Sequence, residues 1–168
     1  HARAGPRVSR PDRGLDPGEI GLVDVVIYAA GEIHSEWRME LRRQLQSAGV
    51  DAELVGPQEN HDRSDDVGEA ILGKQPDARY RDLMGAQANT LRTRVLMQRA
   101  DLVVAYFGPK YKQWNTASDA GFALASGLPL VLVRAEEHVH ALKELDALAT
   151  MTVETLEQAA QAIAYIFE

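Results

Sequence analysis

Apolar positions fall into two patterns along this chain. VVIYAA at residues 25–30, LVVAYF at 102–107 and LVLV at 130–133 are short runs without polar alternation. Strands of a parallel sheet covered on both faces read this way, because neither side meets water. Elsewhere apolar residues recur at helical spacing, as with Trp37, Leu41, Leu45 and Ala48 before Gly49. The terminal stretch repeats this with Leu156, Ala159, Ala160, Ile163 and either Ile166 or Phe167. Two shorter strands fit residues 51–55 and 151–153.

Punctuation marks supply the boundaries. The first strand starts at Val23, and Ser35 caps the helix after it, with Glu36 in the first turn where the dipole favours an acid. Residues 56–66 read as a polar loop, 67–72 as a short helix and 73–77 as another loop. A long helical stretch follows over 78–99, interrupted at Gly85, with Leu91, Val95, Leu96 and Gln98 on or beside one face. Asn115 or Thr116 caps the next helix, and Gly127-Leu128-Pro129 ends it. Ala117, Gly121 and Ala125, four apart, would let that helix lie close on the sheet. Residues 142–148 and 155–167 complete the helices. The alternation predicts an α/β fold: a doubly wound three-layer sandwich around a mainly parallel sheet of about five strands.

Composition narrows the picture. The 168 residues are 45% apolar, enough for one domain with a core. Residues 1–21, rich in Arg, Pro and Gly, read as a disordered N-terminal extension or an expression remnant, leaving 22–168 as a single domain. Acids exceed bases, 25 to 18, so no chain-wide basic footprint for nucleic acid exists. The absence of cysteine excludes disulfides, thiol catalysis and cysteine metal sites. No apolar run is long enough to cross a bilayer, and no signal peptide is visible, so the expectation is a soluble cytoplasmic protein without membrane partners.

Candidate chemistry gathers at the ends of the predicted strands, where α/β sheets bind ligands. The chain has no GxGxxG after the first strand, no GxxxxGK[ST] and no HExxH. No cofactor or metal is therefore expected, and His138 and His140 read as a solvated pair. Asp119 lies in the first turn of its helix by this reading. Its Thr116-x-x-Asp spacing also fits a capping box, in which the carboxylate serves only the backbone. Glu59, Asn60, His61, Asp62, Arg63, Asp65 and Asp66 crowd the loop after the second strand, as acid/base groups or merely as solvated ones. Tyr28 ends the first strand. The turn after it, with Gly31, Glu32 and His34, offers backbone N–H groups to an anion. Trp114 and Asn115, beside Lys110 and Lys112, could stack a base and hold a phosphate, or anchor the loop.

The segments YAAGEIHSEWR (28–38), VGPQENHDRSD (55–65), GEAILGKQP (68–76), RTRVLMQRAD (92–101), FGPKYKQWNTASDAG (107–121) and TVETLEQA (152–159) closely resemble the YtoQ family of small bacterial proteins. The order of elements is more distantly similar to the nucleoside 2-deoxyribosyltransferase superfamily and its flavodoxin-like arrangement. Tyr28-Ala-Ala-Gly31, Ala100-Asp101 before a strand, and the helix carrying Thr116, Gly121, Ala123, Ala125, Gly127 and Pro129 carry that similarity. It places Asp119 where the superfamily has a nucleophilic Glu. Asn115 replaces a Gly, and Gln113 and Thr93 stand where acids are expected.

The resemblance implies cleavage or transfer at the N-glycosidic bond of a nucleoside, nucleotide or related ribosyl compound. Asp119 would be the nucleophile, with Glu59, His61 or Asp62 as acid/base. Arg63, Arg94 and Lys112 would hold a phosphate, and Tyr28 would orient Asp119 or the sugar. It also implies a homo-oligomer, a dimer or larger. The alternative on the same scaffold is a non-catalytic nucleotide-binding or sensing module.

Overall fold

A computed structural model describes residues 25–111 and 113–168; the predicted N-terminal extension and Lys112 lie outside the described residues. The strands are β1 (Val25–Ala30), β2 (Ala52–Val55), β3 (Leu102–Phe107), β4 (Leu130–Arg134) and β5 (Met151–Val153). The helices are α1 (Trp37–Ser47), α2 (His61–Leu72), α3 (Ala78–Arg99), α4 (Trp114–Ala125), α5 (Lys143–Leu148) and α6 (Leu156–Ala164), with 3₁₀ turns at Glu136–His138 and Tyr165–Phe167. All pairings are parallel, in the order β2-β1-β3-β4-β5. The fold is the expected doubly wound α/β sandwich.

Alternate residues of each strand feed two cores. Ile27, Ala29, Val104 and Val133 join Trp37, Leu41 and Leu45 of α1 and Ala159, Ala160 and Ile163 of α6. Tyr28, Ala30, Val103, Ala105 and Leu132 join Met97 of α3 and Ala120 and Ala123 of α4 on the other face. This two-sided burial is why the strand sequences show no polar alternation. Connections leave β1 and β3 toward opposite sides, so a crevice opens between their carboxyl ends, the switch point where such sheets bind ligands. At the opposite end, Asp101 accepts a hydrogen bond from the Val26 amide (2.9 Å), fastening β3 to β1.

Several local expectations are corrected. α2 begins at His61 rather than Val67, because Asn60 caps it by accepting from the Arg63 amide (2.8 Å). The loop after β2 is therefore short, and His61, Asp62, Arg63, Asp65 and Asp66 are helical. α3 runs unbroken through Gly85, where α2 crosses it: a Cβ on Gly68 would stand 2.6 Å from the Gly85 nitrogen. Leu91 and Val95 of α3 are exposed, and Met97 with Leu96 meets the core instead. α4 packs through Thr116, Ala120 and Ala123, whereas Gly121 faces open space. Its N-cap is Gln113, without a side-chain cap, so neither Asn115 nor Thr116 serves there.

Ser35 does not cap α1; its amide and hydroxyl both donate to the Glu32 carboxylate. Gly49 and Gly127 adopt positive φ just after α1 and α4, as their predicted stop role requires. α6 opens with a capping box between Thr155 and Gln158. The chain tightens at Tyr165, leaving Ile166 exposed and Phe167 outside the buried core.

Candidate functional site

The crevice beside β1 and β3 is a cleft of about 860 Å³. Its floor is formed by the turn after β1 and the first half of α4, and its outer wall by the α2–α3 pair. Asp119 lines it from the second turn of α4.

The capping-box reading of Asp119 does not hold. Its Oδ2 accepts a hydrogen bond from the Tyr28 hydroxyl at 3.2 Å, across 91 positions of sequence. Tyr28 points from β1 into the α4 side of the core and is fully buried. Its oxygen also lies 3.1 Å from Thr93 Oγ1 of α3. One phenol thus ties β1 to both α3 and α4.

The electrostatics follow from this setting. Burial pushes Asp119 up to about 6, against the downward pull of the Tyr28 hydrogen bond and the Arg38 charge. Burial, together with the negative charge of Asp119, drives the Tyr28 phenol well above its ordinary value, so it stays a proton donor. Arg38 itself is spent on structure. Its guanidinium donates to the carbonyls of Ala29 (3.0 and 3.2 Å), Gly31 (2.9 Å) and Glu32 (2.8 Å), and it lies 4.5 Å over the Trp37 ring. Trp37 leaves no space at Gly31, where a Cβ would stand 2.4 Å from the indole.

The turn after β1 is not the open anion cradle expected from sequence. The Glu32 carboxylate accepts from the amides of His34 (2.5 Å) and Ser35 (3.1 Å), closing the turn on itself. His34 instead joins a ring cluster at the mouth, with its centroid 4.9 Å from Tyr111 and 5.6 Å from His61. His61 Nδ1 lies 3.6 Å from Asp65.

Of the residues singled out in the sequence, Gly31, Glu32, His34, His61, Arg94, Trp114, Asn115 and Asp119 line this cleft. Tyr28 lies behind Asp119. Trp114 is the first residue of α4 and is 75% exposed, so it is free to receive a ligand face rather than holding the loop down. Arg94 stacks 5.3 Å over the Phe122 ring, one helical turn beyond Asp119. Asp62 and Arg63 do not line the cleft, and Asp62 is almost fully exposed. Glu59 lines a separate hollow of about 260 Å³ with Arg38, Arg42 and Arg92. Lys112 lies outside the described residues.

Sequence reading named only Arg94, and Thr93 as a replaced acid, on α3 and missed the rest of that wall. Asp82, Ala86, Asn89, Thr90 and Thr93 all line the cleft. Their spacing of four, three, one and three is one face of a helix. That small and polar stripe was the available signal, obscured by the apolar Leu91 and Val95. No group of acids and histidines among the described residues is arranged to hold a metal ion. Among these residues, no helix is long and apolar enough to cross a membrane.

Comparison with known proteins agrees with this architecture. A solved conserved protein from Enterococcus faecalis superposes with a TM-score of 0.54 at 23% identity, covering 86% of this chain and 99% of its own. A 2-deoxyribosyltransferase from Bacillus psychrosaccharolyticus superposes with a TM-score of 0.52 at 15% identity, covering 83% and 95%. At these identities the likeness is one of fold. In sequence, the curated protein of Bacillus subtilis described as uncharacterized protein YtoQ is 51% identical over 146 residues, covering 87% of this chain and 99% of its own. The family model described as nucleoside 2-deoxyribosyltransferase YtoQ matches residues 28–167. With the match spanning β1 to the C-terminal turn, the chain belongs to the YtoQ family.

Proposed function

We propose that the protein cleaves or transfers the N-glycosidic bond of a nucleoside, nucleotide or related ribosyl compound, with Asp119 meeting the anomeric carbon. The single observation that carries this reading is the setting of the Asp119 carboxylate. It faces the switch-point cleft, and among the described residues its only direct hydrogen-bond partner is a buried phenol, with no cation in contact. A carboxylate so held keeps lone pairs for an electrophile, or for the positive charge of an oxocarbenium-like transition state.

In the reaction, an Asp119 oxygen bonds to the anomeric carbon as the carbon–nitrogen bond breaks. The bonding pair leaves with the base nitrogen, which takes a proton. His61, on the cleft wall, is the candidate donor; the exposed Asp62 and the displaced Glu59 are weaker ones. Water or a second base then attacks the same carbon and releases Asp119. Tyr28 orients the carboxylate. Trp114 and Asn115 would meet the base or sugar, and Arg94 a phosphate.

The likeness to a 2-deoxyribosyltransferase supports a nucleoside as the small-molecule ligand. A homo-oligomer belongs to the same reading, with exposed Tyr165 and Ile166 as candidate contact residues. Incubation with a panel of nucleosides and nucleoside monophosphates, with released base measured by chromatography, tests the reading. Base release lost in Asp119→Ala supports it. No release from any substrate, together with unchanged ligand binding by Asp119→Ala, overturns it.

A non-catalytic nucleotide sensor is the second reading, favoured by Arg92 and Arg94 flanking Thr93 on the wall and by Gln113 at the helix start. A nucleotide that raises the melting temperature yet is recovered intact would select it.

A further inference from the structure

We propose that Thr93 is a positioning residue: it donates its hydroxyl proton to Tyr28 and thereby commits the phenol's own proton to Asp119. The inference rests on the reading of Asp119 as the group that meets substrate, and it adds a third member to that arrangement.

The argument is one of proton counting. Tyr28 Oη has one proton and two neighbours, Asp119 Oδ2 at 3.2 Å and Thr93 Oγ1 at 3.1 Å. An ionised carboxylate can only accept, so the phenol proton goes to Asp119. The phenol lone pair then faces Thr93, which must give its proton. If the phenol O–H turned toward Thr93 instead, two protons would oppose each other, or Thr93 would have to rotate and Asp119 would lose its donor.

Helical threonines usually return their hydroxyl to the carbonyl four residues earlier. The Thr93 hydroxyl makes no such bond and instead meets Tyr28. Tyr28 is fully buried, so water does not replace a missing partner. A carboxylate at position 93 could not play this part, because it would compete with Asp119 for the same proton. Bonds in such a chain strengthen one another, so the Thr93 hydroxyl makes Tyr28 a better donor to the ionised form of Asp119.

Arg38 of α1 is the charge that acts on Asp119, and the other titratable or charged groups lining the cleft are Glu32 of the turn, His61 and Asp65 of α2, Asp82, Arg92 and Arg94 of α3, and Tyr111. Substituting Thr93 changes none of them, so a change in Asp119 titration reports the hydroxyl chain.

The experiment is a carbon-13 NMR titration of Asp119 in the full chain, with wild type, Thr93→Val and Thr93→Ser side by side. Removing the hydroxyl while keeping the shape should raise the Asp119 midpoint by about half a pH unit. The serine variant should stay within about 0.1 unit of wild type. An unchanged midpoint in the valine variant overturns the proposal, as does a serine variant that behaves like valine.

A measurement on wild type guards against a valine variant that folds poorly. The Tyr28 Cζ signal should move with the same midpoint as Asp119, and a flat Tyr28 signal overturns the proposal. None of these readouts needs a substrate, so they stand or fall whether or not the protein releases a base. Where base is released, Thr93→Val should lower kcat about threefold with KM unchanged. A change in KM alone counts against positioning.

Discussion

Two aspartates on α4 and α5, helices packed on the same face of the sheet, show how a carboxylate gripped by a cation differs from one held by a phenol. Asp146 of α5 is gripped by Arg134, with Nε at 2.8 Å and Nη2 at 2.7 Å from Oδ2. Desolvation works to raise it, but the Arg134 hydrogen bonds and charge win and hold it below the usual carboxylate range. Asp119 is partly buried and, among the described residues, its carboxylate touches no cation, only a phenol, so burial wins and carries it up to about 6. Fixing α5 to the sheet calls for the first arrangement; the proposed reaction calls for the second. The same amino acid, on helices of the same sheet, is sorted by the balance of burial against its donors.

The sharpest way to break the comparison is to neutralise each acid in turn. Asp119→Asn should reduce base release about 10³-fold or more, whereas Asp146→Asn should leave kcat within about twofold. Equal losses in an assay with matched folding would end the distinction. Next in size, Tyr28→Phe removes the donor from Asp119 and should cost about 10- to 100-fold in kcat. The acid limb of its pH–rate profile should move above about 6, read from initial rates across pH 4–9. Arg134→Gln should destabilise the fold by about 2 kcal/mol in urea melts, because it leaves Asp146 charged and unpaired. It should not shift the Asp119 titration.

The smallest effect concerns stability against pH, where the two acids have opposite signs. A carboxyl raised by folding favours the native state below its unfolded value, near 3.8, and that advantage disappears as pH rises through about 6. Asp119→Asn should therefore gain about 1–2 kcal/mol over wild type at pH 8 and nothing at pH 4. Asp146 is lowered, so its contribution is present above the unfolded value and lost as pH falls through the folded one. Acid unfolding of Asp146→Asn should consequently be shallower. Melting both variants at pH 4, 6 and 8 decides the signs.

The sheet was legible because parallel strands buried on both faces announce themselves as unbroken apolar runs, as in residues 102–107. Gly49 and Gly127 were legible as stops because backbone conformation is a local property. The site was harder. Asp119 next to Thr116 looks like a local cap, and nothing near it in sequence discloses a phenol 91 positions away. Thr93 was marked only as standing where the resemblance expects an acid, and its partner stayed hidden because it is set by how α3 lies against β1. His61 looked like a loop residue because its cap, Asn60, is one of several polar residues that could have opened the helix.

The tight crossing of α2 and α3 fixes how far apart the two helices of the cleft wall can stand. At Gly68 the second helix lies against the Gly85 nitrogen and the Cβ and carbonyl carbon of Met84, all nearer than an added Cβ could tolerate. The spacing of the hairpin is thus a ruler made of backbone, and a single methyl group there would prise the pair apart. On the proposed reading, room for larger or smaller ligands would come from the polar residues facing inward from α3.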